Sequence, residues 1–464
     1  MFADARIGPA LILALVLLWA PLPFASVVVW ADALLQVACL FLLVLVLKRP
    51  MDEAVWRRVR LPALALVVLA VLGLFQSMPI PRWLVALLAP GRAASVPGPT
   101  GLSFSPWFSL WTSLALASLA ALLVASAGLG RSRPARRLVW TALFAVALFE
   151  VFYGARGWFA RDSAIWGVQV PQDVTRLRGT FVNPNHLALL LEIALAGGFA
   201  LVWWGLRRAR REPRLESRLV WIGLPLLGWA VLLVGLAFTG SRGGLLALLA
   251  GTVVQGAVLV ATSENRRPAL VGLGLLALLG GGALAATSLS DALSRFFSGS
   301  LAASGGAGRL DVWRASLDLF GTSPILGIGL GAFREGFPRV QPGSLPGLWW
   351  HAHNDVLELL LNAGVVGLLV ASVGGVSMAR RLGEAFRNGR RSEDRAAALA
   401  ALGAFAAVAV HELYDFGLTM PSNAAALVAV VGLALGAAQW EERSRGAGTT
   451  GTPDTEASVA SSSR

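Results

Sequence analysis

Two histidines near the end of a long polar segment are the residues of this chain most able to catalyse a reaction. In the stretch His351-Ala-His353-Asn354-Asp355, they stand immediately before an apolar run. A neutral imidazole can accept a proton from a hydroxyl group, because its ordinary pKa lies near working pH. We expect His353 or His351 to act as a general base. Two alternatives stay open: His353 packs or caps where Asn354 begins a helix, or His351, His353 and Asp355 bind a metal.

A second polar segment, from Arg178 to His186, also precedes an apolar run. Asn183 followed by Pro184 is a helix-capping arrangement with proline at the first helical position, which explains these two residues structurally. It does not explain Arg178, Asn185 and His186, which gather at a helix N-terminus, where anions bind well. We therefore expect these three residues, together with Asn354 at the start of the other apolar run, to bind an anion or a sugar.

Two further arginines are candidates for binding phosphate, because the planar guanidinium forms paired hydrogen bonds with phosphate oxygens. Arg242 lies in a short Thr-Gly-Ser-Arg-Gly-Gly turn between two apolar runs. Arginine at a membrane boundary is costly unless it reaches water or an anion, and snorkelling is the alternative explanation. Arg309 begins an amphipathic stretch, 309–320, and a solvated surface charge is its alternative. The glycine-rich run that follows lacks the lysine and the preceding strand of a nucleotide-binding loop.

The elements that position these residues are membrane helices. The chain is 56% hydrophobic and 14% charged, with a mean hydropathy of +0.68, whereas soluble domains are about a quarter charged. Apolar runs long enough to cross a bilayer recur and predict an all-α polytopic membrane protein of about 12 transmembrane helices. The predicted spans are 7–29, 31–47, 61–78, 106–128, 138–153, 185–206, 219–237, 243–262, 269–288, 354–378, 396–411 and 421–438. The largest outer loop, 289–353, separates helices 9 and 10. The only cysteine, Cys39, excludes disulfides within the chain.

The charge distribution predicts the orientation in the membrane. Arginine-rich links follow every second predicted helix, and with both termini they hold 27 of the 39 basic residues but 13 of the 26 acidic ones. The positive-inside rule assigns this side to the cytoplasm. Both termini are then cytoplasmic and all four histidines lie at the outer face. The net charge of +13 therefore needs no nucleic acid to explain it.

Carboxylates at the edges of the apolar runs are expected either to pair with the arginines or to act directly, because burying them alone is costly. The residues concerned are Glu150, Glu192, Glu358, Glu412 and Asp415.

Four segments in this order resemble the O-antigen ligase and polymerase superfamily of bacterial envelope glycosyltransferases. They are Arg178-Gly-Thr-Phe-Val-Asn-Pro-Asn-His186, Thr-Gly-Ser-Arg242-Gly-Gly, Gly-Arg309-Leu-Asp-Val-Trp with the following Pro-Ile-Leu-Gly-Ile-Gly-Leu-Gly, and His351-Ala-His353-Asn354-Asp355 continuing to Gly367.

The resemblance implies a catalytic outer loop and a donor glycan carried on undecaprenyl diphosphate. It also implies an inverting transfer in the inner membrane, facing the periplasm, without metal, cofactor or nucleotide sugar. Arg242 and Arg309 match the diphosphate-binding arginines. The loop-end histidine matches the general base; we favour His353 over His351 because a His-Asn pair leading into the helix is the commoner form.

The expected domains are N-terminal helices in 1–175, a catalytic membrane region in 176–440 and a disordered cytoplasmic tail in 441–464. The leading functional hypothesis is a ligase that joins the glycan to lipid A-core. A polymerase of O-antigen or exopolysaccharide, and a protein O-oligosaccharyltransferase, share the donor and differ in the acceptor. A transporter of lipid-linked polysaccharide would predict related halves and interrupted helices near the midplane, and the sequence has neither.

Overall fold

The computed structural model is all-α apart from one two-stranded hairpin, and it describes residues 6–95, 100–170, 175–263 and 306–438 with residues 267 and 274. Its first ten helices are α1 (Ile7–Trp19), α2 (Val29–Leu47), α3 (Glu53–Ser77), α4 (Arg82–Leu88), α5 (Pro90–Ser95), α6 (Pro106–Leu129), α7 (Arg133–Ala160), α8 (Pro184–Ala209), α9 (Leu215–Phe238) and α10 (Arg242–Ala261). The others are α11 (Gly306–Thr322), α12 (Phe333–Gly336), α13 (Asp355–Asn388), α14 (Ser392–His411) and α15 (Pro421–Ala437). Strands β1 (Ala164–Ile165) and β2 (Val168–Gln169) pair antiparallel between α7 and α8.

The predicted fold class is confirmed. Within the described residues, 9 helices are long and apolar enough to cross a membrane, and α1 and α15 are shorter apolar helices. Each predicted span corresponds to one of these helices except 269–288, of which only residue 274 is described. The predicted tail 441–464 lies outside the described residues. The total of 12 spans stays a prediction.

The first predicted span, 7–29, is longer than the helix that forms there. Helix α1 ends at Trp19, about ten residues before the predicted end, and α2 begins at Val29. Pro21 and Pro23 follow α1 and lack the N–H groups that a continuing helix needs. Residues 24–26 have positive φ angles of 55° to 61°, so the backbone turns before the second helix begins.

The amphipathic stretch after Arg309 forms α11, as predicted. The side chains buried on it are Val312, Ala315 and Leu319, which join an apolar cluster of the outer loop. Leu310 and Leu317, two other apolar residues of this stretch, are 51% and 61% exposed. The helix therefore packs into the loop through the face that carries Val312, Ala315 and Leu319.

The glycine-rich run 324–331 is a docking element that holds the outer loop against two membrane helices. Gly364, inside α13, has φ 65° and ψ −170°, and a Cβ atom there would lie 2.2 Å from the carbonyl oxygen of Ile325. On α3, the Gln76 Oε1 atom accepts a hydrogen bond of 2.9 Å from the Leu330 N–H group. These contacts hold the outer loop against α3 and α13.

Candidate active site

The ends of several helices bring three histidines around one aromatic ring, that of Phe416. The ring of His351 stacks on Phe416 with centroids 4.2 Å apart. His186, at the start of α8, and His353, just before α13, meet the same ring edge-on at 4.6 and 4.7 Å. The sequence segments around residues 186 and 353 therefore form one site.

His353 is oriented by a carboxylate. Its Nδ1 atom lies 3.4 Å from Oδ1 of Asp415, and the exposed fractions of the two side chains are 23% and 4%. The backbone of His353 has φ 53°, a left-handed conformation that is unusual for a residue with a side chain. Because Nδ1 faces the carboxylate of Asp415, Nε2 is the ring nitrogen on the other side of the imidazole.

Asp415 connects the histidines to the polar residues of two other segments. Asn185 donates a side-chain hydrogen bond to Oδ2 of Asp415. The Nη2 atom of Arg309 lies 3.9 Å from the same oxygen, and its Nη1 atom donates to the Tyr414 carbonyl oxygen at 2.9 Å. Burial alone would raise the pKa of Asp415, but contact with His353 and the charge of Arg309 hold this pKa below its ordinary value. The carboxylate therefore stays ionised.

His351 has a carboxylate partner of its own. Its Nδ1 atom lies 3.0 Å from Oε1 of Glu358, and Oε2 of that residue accepts from the Ala352 N–H group at 2.9 Å. Burial would lower the pKa of His351, but the negative charge of Glu358 raises it above its ordinary value. Asn354 caps α13, its Oδ1 atom accepting from the Leu357 N–H group at 2.9 Å. The helix-capping explanation therefore accounts for Asn354.

The start of α10, at Arg242, lies beside the turn that Arg309 contacts. Arg242 is the first residue of α10, where the Ser241 hydroxyl caps the helix. A Cβ atom on Gly243 would lie 3.8 Å from Cβ of Tyr414, the residue whose carbonyl oxygen binds Arg309. Arg242 is exposed, and it forms no ion pair within the described part of the chain. The turn that contains Asp415 therefore carries the guanidinium group of Arg309, and the first residues of α10 lie beside it.

The two arginines before α8 point to different places. Arg178 is buried and donates to the Ser163 carbonyl oxygen, next to the β-hairpin, and burial lowers its pKa. Arg176, which belongs to none of the sequence motifs above, donates to Oδ1 of Asn185 at 2.6 Å and to the Thr239 carbonyl oxygen at 2.7 Å. Asn185 therefore links Arg176 to the histidine site. Ligand binding by Arg178 stays a prediction.

Further titratable side chains lie just below this site. His411 and Glu192 are fully buried, with Nδ1 of the first 2.7 Å from Oε1 of the second. The Asp355 N–H group donates to the Glu412 carbonyl oxygen at 2.8 Å, and burial together with nearby carboxylates raises the pKa of Glu412. Most buried carboxylates here therefore pair with histidine, while Asp415 has both a histidine and an arginine.

The arrangement offers a candidate proton acceptor near the positive charge of Arg309, and the helix that begins with Arg242 starts beside the same turn. A histidine oriented by a carboxylate suits removal of a proton from a hydroxyl group, and guanidinium groups suit a phosphate or a leaving anion. Among the residues described, no three His, Cys, Asp or Glu side chains have the arrangement of a metal site.

Comparison with known proteins gives one family. Residues 227–372 match the family model described as O-antigen ligase. The match runs from α9 into α13 and contains Arg242, Arg309, His351 and His353, whereas Asn185 and His186 precede it. No curated protein matches the chain.

Proposed function

The chain belongs to the O-antigen ligase superfamily, and we propose that it transfers a glycan from undecaprenyl diphosphate to a sugar hydroxyl of lipid A-core. The observation that carries this proposal is the joint placement of His353, Asp415 and Arg309. The Nδ1 atom of His353 lies 3.4 Å, and the Nη2 atom of Arg309 3.9 Å, from the carboxylate of Asp415. A base and a cation within reach of one another are what transfer from a diphosphate requires.

In the proposed reaction, Nε2 of His353 accepts the proton of the acceptor hydroxyl as its oxygen attacks the anomeric carbon. The bond from that carbon to the diphosphate oxygen breaks, and the lipid diphosphate leaves with the electron pair. A single displacement inverts the configuration at this carbon. A positioned base contributes about 10²- to 10⁴-fold to such a rate. The carboxylate of Asp415 stabilises the imidazolium ion that results.

The diphosphate becomes a better leaving group when its developing charge is neutralised. We assign this role to Arg242 and Arg309, because their planar forks can bind two phosphate oxygens each, and charge stabilisation in a partly dry site is a large contribution to catalysis. The donor carries the energy of the reaction, so the proposal needs no cofactor or metal. Asn185 and His186 line the same site and are assigned to substrate binding.

The site is proposed to face the periplasm from the inner membrane. The supporting observation is the charge asymmetry of the sequence, which favours a cytoplasmic position for the arginine-rich links and both termini. The histidines stand at the opposite helix ends, at the start of α8 and α13 and the end of α14. The lipid tail of the donor would stay in the bilayer. Region 176–440 would then be the catalytic part of the chain.

The acceptor is tested with the purified full-length protein reconstituted into sealed lipid vesicles. An undecaprenyl-diphosphate-linked glycan is supplied together with lipid A-core, a second lipid-linked glycan or an acceptor protein, and the glycosylated product is identified by mass spectrometry. Transfer to lipid A-core supports the ligase. Extension of the lipid-linked glycan alone would show that the protein is a polymerase instead. Modification of the acceptor protein alone would show that it is a protein O-oligosaccharyltransferase. If no acceptor is glycosylated and the donor is moved across the membrane, the protein is a transporter and not a glycosyltransferase.

A further inference from the structure

A pocket lies at the end of the helix bundle opposite to the histidines. It forms where α2 and α6 end and α1 and α3 begin, and its volume is about 420 Å³. Its apolar wall includes Ile12, Val46, Val55 and Leu129. Pockets of about 300–1,000 Å³ accommodate small organic ligands, so this one has room for a lipid headgroup and the first part of an acyl chain.

The rim of this pocket is strongly basic. It contains Arg6, Lys48, Arg49 and Arg131, whereas Asp52 is the only acidic residue among the lining residues described. Arg131 forms an ion pair with Asp52, which balances one positive charge. Lys48 and Arg49 are exposed, and within the described ranges their side chains form no ion pair. A net positive charge therefore remains above an apolar wall.

We infer that this pocket binds an anionic phospholipid, with its phosphate at the basic rim and an acyl chain against the apolar wall. Basic pockets between membrane helices are suited to acidic lipid headgroups, and each lysine or arginine near the membrane surface adds to the attraction. A free phosphate would use the rim but not the wall. The rim belongs to the face that the charge pattern assigns to the cytoplasm, so the site is separate from the proposed donor site and does not rest on the proposed function.

Two variants test the rim and the wall separately. The double variant Lys48→Gln, Arg49→Gln removes charge and keeps the pocket open. Gly8→Phe fills the pocket and keeps every charge: Gly8 lines the pocket, and a Cβ atom there would meet nothing within 4 Å. The matched controls are Arg211→Gln, an exposed arginine in another link of the same predicted face, and Gly383→Phe, where a Cβ atom would also meet nothing within 4 Å.

The experiment uses the full chain, purified in a neutral detergent. Phosphatidylglycerol, phosphatidylcholine or inorganic phosphate is titrated while the thermal midpoint is measured, and bound lipid is counted by native mass spectrometry. A ligand that binds the folded state raises the midpoint. Phosphatidylglycerol is expected to raise it more than phosphatidylcholine, and inorganic phosphate is expected to leave it unchanged.

Each cation removed should raise the apparent Kd for phosphatidylglycerol about fivefold. The double variant should therefore have an apparent Kd about 25-fold higher. Gly8→Phe should abolish the shift, and both controls should retain it. An equal shift with phosphatidylcholine or with inorganic phosphate overturns the inference, as does an equal loss in the controls or full binding by Gly8→Phe. The two test variants change different features, so if one fails to fold, the other decides.

Discussion

Replacing Asp415 by asparagine removes one charge from the centre of the proposed active site and keeps its shape. Asp415 is 4% exposed, and its Oδ1 atom lies 3.4 Å from Nδ1 of His353. In this variant the imidazolium ion formed in the reaction would lose its counter-charge. An interaction with a charged partner is worth about 1.5–3 kcal/mol. At about 1.4 kcal/mol for each factor of ten, Asp415→Asn should lower the transfer rate about 10- to 100-fold.

The assay is single-turnover transfer from a lipid-linked glycan, with the donor Kd measured separately. Asp318→Asn is the matched control, since Asp318 is an exposed residue of α11 in the same loop and should change the rate little. If Asp415 acts through His353, adding Asp415→Asn to His353→Ala should cause little further loss. An equal loss in both backgrounds would refute the proposed coupling.

Three further predictions test other parts of the structure. Arg309→Ala should weaken donor use and Arg309→Lys should restore it only partly, because lysine lacks the planar fork; equal donor kinetics in wild type and both variants would contradict this. Arg136→Ala should destabilise the protein by about 3–5 kcal/mol, because losing the buried ion pair leaves a buried carboxylate without a partner. Arg137→Ala, at an exposed ion pair, should destabilise it by only about 0.2–1 kcal/mol. Chemical denaturation of both variants measures the difference. Because Glu358 raises the pKa of His351, Glu358→Gln should lower the thermal midpoint most below about pH 6.5, and the difference should shrink as the pH rises through the raised pKa.

The membrane helices were predictable because their signal is local. A run of apolar residues fixes a span, and Asn183 and Asn354 mark where α8 and α13 begin by capping them. The end of α1 needed more than hydropathy. Pro21 and Pro23 stand in an apolar run that is long enough to cross the bilayer, and only their effect on the backbone ends the helix.

The active site was predictable in part, because its contacts join distant segments. His353 and Arg309 each lie in a motif that the sequence shows directly. Asp415 lies in none of these motifs, and the sequence indicates only that its carboxylate needs a partner. The hydrogen bond between Asn185 and Asp415 spans 230 positions, which no local pattern encodes. Arg176 has no motif to distinguish it from Arg178, two residues away, yet it is the one that reaches Asn185.

The central claim is that the imidazole of His353 removes the proton from the acceptor hydroxyl. The direct measurement is the transfer rate of His353→Ala, with the donor Kd measured on the same preparation and His351→Ala as the neighbouring comparison. We expect transfer to fall by about 10²- to 10⁴-fold with the donor Kd unchanged, and by less in His351→Ala, whose ring is already paired with Glu358. Transfer at the wild-type rate in His353→Ala would contradict the account.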